Sequence, residues 1–200
     1  MKKLVYSLKS LVVISILALS CSEGDKKAPE QEKDQPLAVS KNSGPFIESY
    51  DLLLSSYYSL KDALVASDSI KANLAASQLL VNADSLKIDE IKGDTSGMIK
   101  ETAATFTSTI HSSAEALQKE TSLEEKRKDF EMITDALWSL TRTVKYDGAK
   151  VYYNFCPMAF NNKGAYWMSN SSKIQNPYFG EKMLECGSVE DSVDYSHRNQ

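Results

Sequence analysis

Two hundred residues, 42% of them hydrophobic, are enough for one domain with a core of its own. A net charge of −4 with no Lys/Arg cluster argues against nucleic-acid binding, which rests on phosphate neutralisation. With only two histidines in the chain, most hydrolytic metal sites lack their ligands.

The first 20 residues read as a secretory signal. Lys2, Lys3 and Lys9 give a basic start, and Leu11 to Leu19 is an apolar run interrupted only by Ser15. That run is too short for a membrane span, which needs about 20 residues, so it is a processing signal. Ser20 precedes Cys21, and Leu17-Ala18-Leu19-Ser20-Cys21 loosely matches a lipobox, with Ala18 at the usual large apolar position. Cys21 is therefore the expected lipidation site, and two or more acyl chains hold a protein stably at a membrane. Residues 21–44 are rich in Glu, Asp, Lys, Pro and Gln, hold no aromatic residue, and are expected to be a disordered tether. The expected location is the bacterial cell envelope, lipid-anchored at the outer membrane and facing the periplasm or the surface.

From Pro45 the pattern turns helical, and residues 45–147 are expected to form an antiparallel four-helix bundle in an all-α fold. Phe46, Tyr50, Leu53, Tyr57, Leu60 and Leu64 recur at spacings of three and four and so share one helix face. Asp68 is placed to cap a second helix reaching about Asp84, with Ile70, Leu74, Leu80 and Val81 as its apolar residues. A break at Lys92 to Gly97 precedes a third helix carrying Met98, Phe106, Ile110 and Leu117. Ser122 and Glu125 have capping-box spacing ahead of Leu123, Phe130, Ile133, Leu137, Leu140 and Val144. The fourth helix is expected to stop near Asp147-Gly148.

Residues 148–189 differ in texture and are expected to form an irregular, turn-rich lobe of the same domain, followed by a loose tail over 190–200. Val151 to Phe155 reads as a strand or extended segment. The segments Cys156-Pro157-Met158-Ala159, Gly164-Ala165-Tyr166-Trp167-Met168-Ser169, Asn176-Pro177-Tyr178-Phe179-Gly180 and Met183-Leu184-Glu185-Cys186-Gly187 follow, dense in turn formers and aromatics.

These four motifs, in this order, resemble a family of domains of unknown function found in lipoproteins of Bacteroidetes-type bacteria. The same domain is appended to periplasmic adaptor subunits of heavy-metal efflux pumps. The resemblance covers about residues 46–189. It implies, by association, a metal-handling role and an efflux-system or envelope protein as partner.

The residues themselves leave two readings open. Thiolate and thioether sulfurs are soft ligands suited to copper(I). Cys156 and Met158 flank a proline, and Met183 and Cys186 would share a face in a helical turn. A soft-metal site would then use Cys156, Met158, Met183 and Cys186, with His111 or Met168 as further donors and Trp167, Tyr166 and Tyr178 as its shield. A related copper-export motif reads Tyr-x-Cys-Pro-Met-His, whereas here the tyrosine is three residues before Cys156 and Ala159 replaces the histidine. In the other reading, Cys156 and Cys186 form a disulfide worth about 3–4 kcal/mol. The aromatic lobe is then an interaction surface for a non-metal protein partner. His197 lies in the acidic tail and suggests no role. No Ser-His-Asp set, nucleophile elbow, phosphate loop or His-Glu-x-x-His helix is present, so no enzymatic activity is expected.

Overall fold

The computed structural model describes residues 42–196; the expected signal, Cys21, nearly all of the tether and His197 lie outside the described residues. Helix α1 spans Gly44–Val65, with the Ser43 side chain accepting from the Phe46 amide and Pro45 in the first turn, where a missing N–H costs nothing. Its six-residue stripe from Phe46 to Leu64 is fully buried. Each such large apolar side chain contributes about 1.5–3 kcal/mol.

Helix α2, Ser69–Asp84, begins where expected, with Asp68 accepting from the Lys71 amide at 2.9 Å. Of the four apolar residues expected on it, only Leu80 packs against the core, partly buried. Ala72, Ala75, Ala76, Leu79 and Ala83 are buried, while Ile70, Leu74 and Val81 are exposed. Methyl-sized side chains allow α2 to pack closely between α1 and α3. Ile70, Leu74 and Val81 are left outside.

Helix α3, Met98–Lys119, starts after Gly97, and the Asp94 carboxylate accepts from the Lys100 amide at 2.9 Å. Helix α4 spans Leu123–Val144. Half of the capping box forms: Ser122 Oγ accepts from the Glu125 amide at 3.2 Å, while the Glu125 carboxylate turns to Lys128 at 2.6 Å. The helix ends at left-handed Lys145, ahead of Gly148, and Tyr146 turns back into the core. Sequential helices pack as neighbours. Helices α1 and α4 are joined by two tyrosines, Tyr50 to Thr141 Oγ1 at 2.8 Å and Tyr57 to Thr134 Oγ1 at 2.7 Å.

The lobe after α4 contains a three-stranded antiparallel sheet in the order β2-β1-β3, made of β1 (Val151–Cys156), β2 (Ala165–Ser169) and β3 (Ser188–Val193). The extended segment expected at Val151 is β1. The tail expected from residue 190 instead continues β3 to Val193, and Val193 and Tyr195 are buried. On β1 and β2, Asn154 faces Trp167 and Cys156 faces Ala165. The sheet rests on α4 and α1 through β2, where the Met168 amide donates to Tyr57 Oη at 3.0 Å. Among the described residues, no helix is long and apolar enough to cross a membrane.

Tyr57→Phe leaves the Met168 amide and the Thr134 hydroxyl without their shared buried partner. Urea unfolding should show a loss of about 1–3 kcal/mol, the cost of a stranded buried polar group. A loss no larger than that of an exposed Tyr→Phe control would separate β2 docking from this hydroxyl.

Candidate functional site

The two thiols of the lobe meet although 30 residues separate them: Cys156 Sγ lies 3.7 Å from Cys186 Sγ, and both are unbridged. Cys156 is fully buried at the end of β1, and Cys186 is half-buried just before β3. Burial and the neighbouring Cys156 thiol hold the Cys186 pKa above its ordinary value.

Cys186 is delivered by the loop between β2 and β3, and Asn176 organises that loop. Fully buried, Asn176 donates from Nδ2 to the Cys186 carbonyl at 2.8 Å and accepts the Tyr178 amide at Oδ1 at 2.8 Å. Its own amide donates to the Leu184 carbonyl at 2.8 Å. Arg127 of α4 pins the loop to the bundle, donating from Nε to the Pro177 carbonyl at 2.7 Å and from a terminal nitrogen to the Leu64 carbonyl at 3.2 Å. Gly180, at φ 59°, passes so close to α1 that a Cβ would lie 2.6 Å from the Val65 carbonyl.

The turn after Cys156 is strained. Phe160, Asn161 and Asn162 are all left-handed, at φ 51°, 58° and 66°. Asparagine tolerates that region, whereas phenylalanine carries a penalty of about 1–2 kcal/mol there. Packing of the Phe160 ring against Tyr178, with centroids 5.4 Å apart, offsets it.

The other expected residues fall in three places. Met158 is exposed, two residues beyond Cys156. Met183 closes a short 3-10 turn, Gly180–Met183, and its carbonyl accepts from the Cys186 amide at 3.1 Å, so the two residues are one turn apart. Met168 is fully buried, but it pairs with Tyr153, and strand alternation puts it on the sheet face opposite Cys156. His111 is not brought to the thiols. Its Nδ1 bonds Asp84 Oδ1 at 2.7 Å between α3 and α2, whereas the sheet rests on α4 and α1. Among the described residues, no three His, Cys, Asp or Glu side chains gather as a group able to hold a metal ion.

The aromatics fill the lobe. Trp167 is fully buried, edge-on to Tyr178, whose hydroxyl donates to the Tyr166 carbonyl. Trp138 of α4, Tyr153 and Tyr166 form a stack at 4.3 and 4.6 Å, extended by Phe155 at 4.6 Å from Tyr166. Trp167 Nε1 and Asn154 Oδ1, from facing positions on β2 and β1, are buried without hydrogen bonds.

Sequence reading missed the parts played by Asn176 and Arg127. Asn176 stands inside the Asn-Pro-Tyr-Phe-Gly motif, which was the available signal; Arg127 is one charge among many on α4 and gives none.

The fold and site define a helical-bundle domain that carries a part-buried dithiol on a small appended sheet. Residues 53–148 match the family model described as "Protein of unknown function (DUF3347)". The match ends before β1, so the four motifs of the lobe lie beyond it. No curated protein and no solved structure matches the chain.

Gly187, at φ 142°, separates Cys186 from β3, and a Cβ there would stand 2.7 Å from both the Phe155 carbonyl and Trp167 Cη2. Gly187→Ala should destabilise the domain by about 1–3 kcal/mol, as overpacking does. It should also slow disulfide formation between the thiols under a diamide-type oxidant. Unchanged oxidation kinetics would mean that Gly187 does not set the approach of Cys186.

Proposed function

We propose that the protein is a lipid-anchored envelope protein that binds a soft metal ion, copper(I) by ligand chemistry, at Cys156 and Cys186 in metal handling or efflux. The observation that carries this reading is the 3.7 Å separation of two unbridged thiols. Two sulfurs sharing one ion at about 2.3 Å each must lie within about 4.6 Å of one another, so the pair needs no backbone movement to act together. Thiolates are the protein donors of choice for copper(I). Met183, one turn from Cys186, and exposed Met158, two residues from Cys156, complete the proposed set. His111 and Met168 are not part of the proposed site. The lipid on Cys21 and an efflux partner belong to this proposal on the signal pattern and the family resemblance.

The same contact distance favours one other reading. In it, the thiols close to a covalent distance of about 2.0 Å, and the disulfide ties the loop to the sheet of a non-metal interaction module.

Competition of the reduced protein against a chromophoric copper(I) chelator tests the proposal, with Cys156→Ser/Cys186→Ser beside it. One-to-one binding lost in the double variant is expected. Affinity should rise with pH, because binding releases thiol protons that the raised Cys186 pKa retains at neutral pH. Equal weak binding by both proteins would end the metal reading and leave the disulfide.

A further inference from the structure

The outer face of α2 is explained neither by core packing nor by the thiol site. Ile70, Leu74 and Val81 are 76%, 67% and 53% exposed, and their spacings of four and seven put them on one side of the helix. Leu52 of α1, also exposed, lies beside them, since Asn82 Nδ2 donates to its carbonyl at 2.9 Å. Single exposed apolar residues are ordinary; a row of them marks a contact surface. Residues 72–83 also contain no charged side chain, in a chain that is 25% charged. Depletion of charge is what distinguishes the centre of an interface from ordinary surface.

Two grooves flank the row. One, of about 480 Å³, is lined by Ala63, Ala66, Leu74 and Ala75 together with the charged Asp62 and Lys71. The other, of about 340 Å³, lies at the far end of α2 and is lined by Pro45, Leu52, Asn82 and Ser85, with the charged Glu48 and Lys87 at its rim. A two-fold axis between Ser77 and Gln78 would run α2 antiparallel to itself. Leu74 then opposes Val81 of the second copy, and Ile70 opposes Ser85 at the edge of the second groove. Among the described large apolar side chains, Ile70 is the most exposed, and it meets a depression. The symmetry repeats that fit at the other end, as an isologous contact must. The uncharged stretch is centred on the same axis, so no like charges meet across it.

We propose that this face is the interface of a symmetric homodimer of the chain, built on an antiparallel contact between the two α2 helices. The test is photo-crosslinking of the full-length protein in cells, with p-benzoyl-phenylalanine in place of Gln78. Irradiation is expected to give a species at twice the monomer mass, with peptide mapping linking position 78 to α2 of the second copy. The same probe at Met132, exposed on α4, should give none. Leu74→Glu should lower the α2 cross-link about tenfold, as loss of an anchoring contact does. Circular dichroism and the melting temperature of that variant should match the parent, because Leu74 is outside the core. Absence of the self-cross-link, its persistence in folded Leu74→Glu, or capture of a different protein alone would each overturn the dimer.

Discussion

One buried hydroxyl holds the helical and sheet parts of this domain in register. Tyr57 leaves α1, stacks on Phe130 of α4 with centroids 5.2 Å apart, and bonds Thr134 of α4. The same oxygen accepts the backbone amide of Met168 in β2. A tyrosine buried this deeply is tolerable only because its hydroxyl is paired. Burial raises its pKa despite those bonds, so the group stays neutral and able to donate. With β2 tied to α1 in this way, β1 follows by strand pairing, and Cys156 at the end of β1 is placed in turn.

Cys186 arrives by an independent route. Arg127 holds the Pro177 carbonyl to the bundle, Gly180 allows the loop to pass against the end of α1, and Asn176 fixes both the start of the loop and the Cys186 carbonyl. Two supports, one from α1 through β2 and one from α4 through Arg127, thus converge on one pair of sulfurs. Cys156 is fully buried, while Cys186 and Met183 remain half-exposed. A buried sulfur with an accessible neighbour suits chemistry in which a ligand or oxidant enters from the loop side.

The stripes of α1 and α4 were legible because a large apolar residue recurs every three or four positions and nothing competes for the same face. Helix α2 was not, although its ends were. Its period is helical on both sides, and three of its large side chains, Ile70, Leu74 and Val81, point outward. Only neighbours on two sides select alanines for the inner face, because backbone approach then outweighs the area that Ile70, Leu74 and Val81 would bury. The thiol pair was legible as a pair. His111 could be placed on a helix, but its Asp84 partner and its separation from the sheet's supporting helices depended on how α2 and α3 pair.

By itself, the sequence determined the four helices, the caps at Asp68 and Ser122, and a lobe of turns and aromatics bearing two cysteines. Those features are local: they follow from periodicity, capping chemistry and composition within a few turns of chain. Tertiary structure alone decided that the lobe builds a sheet extending to Val193, which donors share a face with Cys156, and that Sγ meets Sγ across 30 residues. Those depend on strand register and on hydrogen bonds between residues far apart in sequence, such as Tyr57 with Met168 and Arg127 with Pro177, which no local pattern encodes.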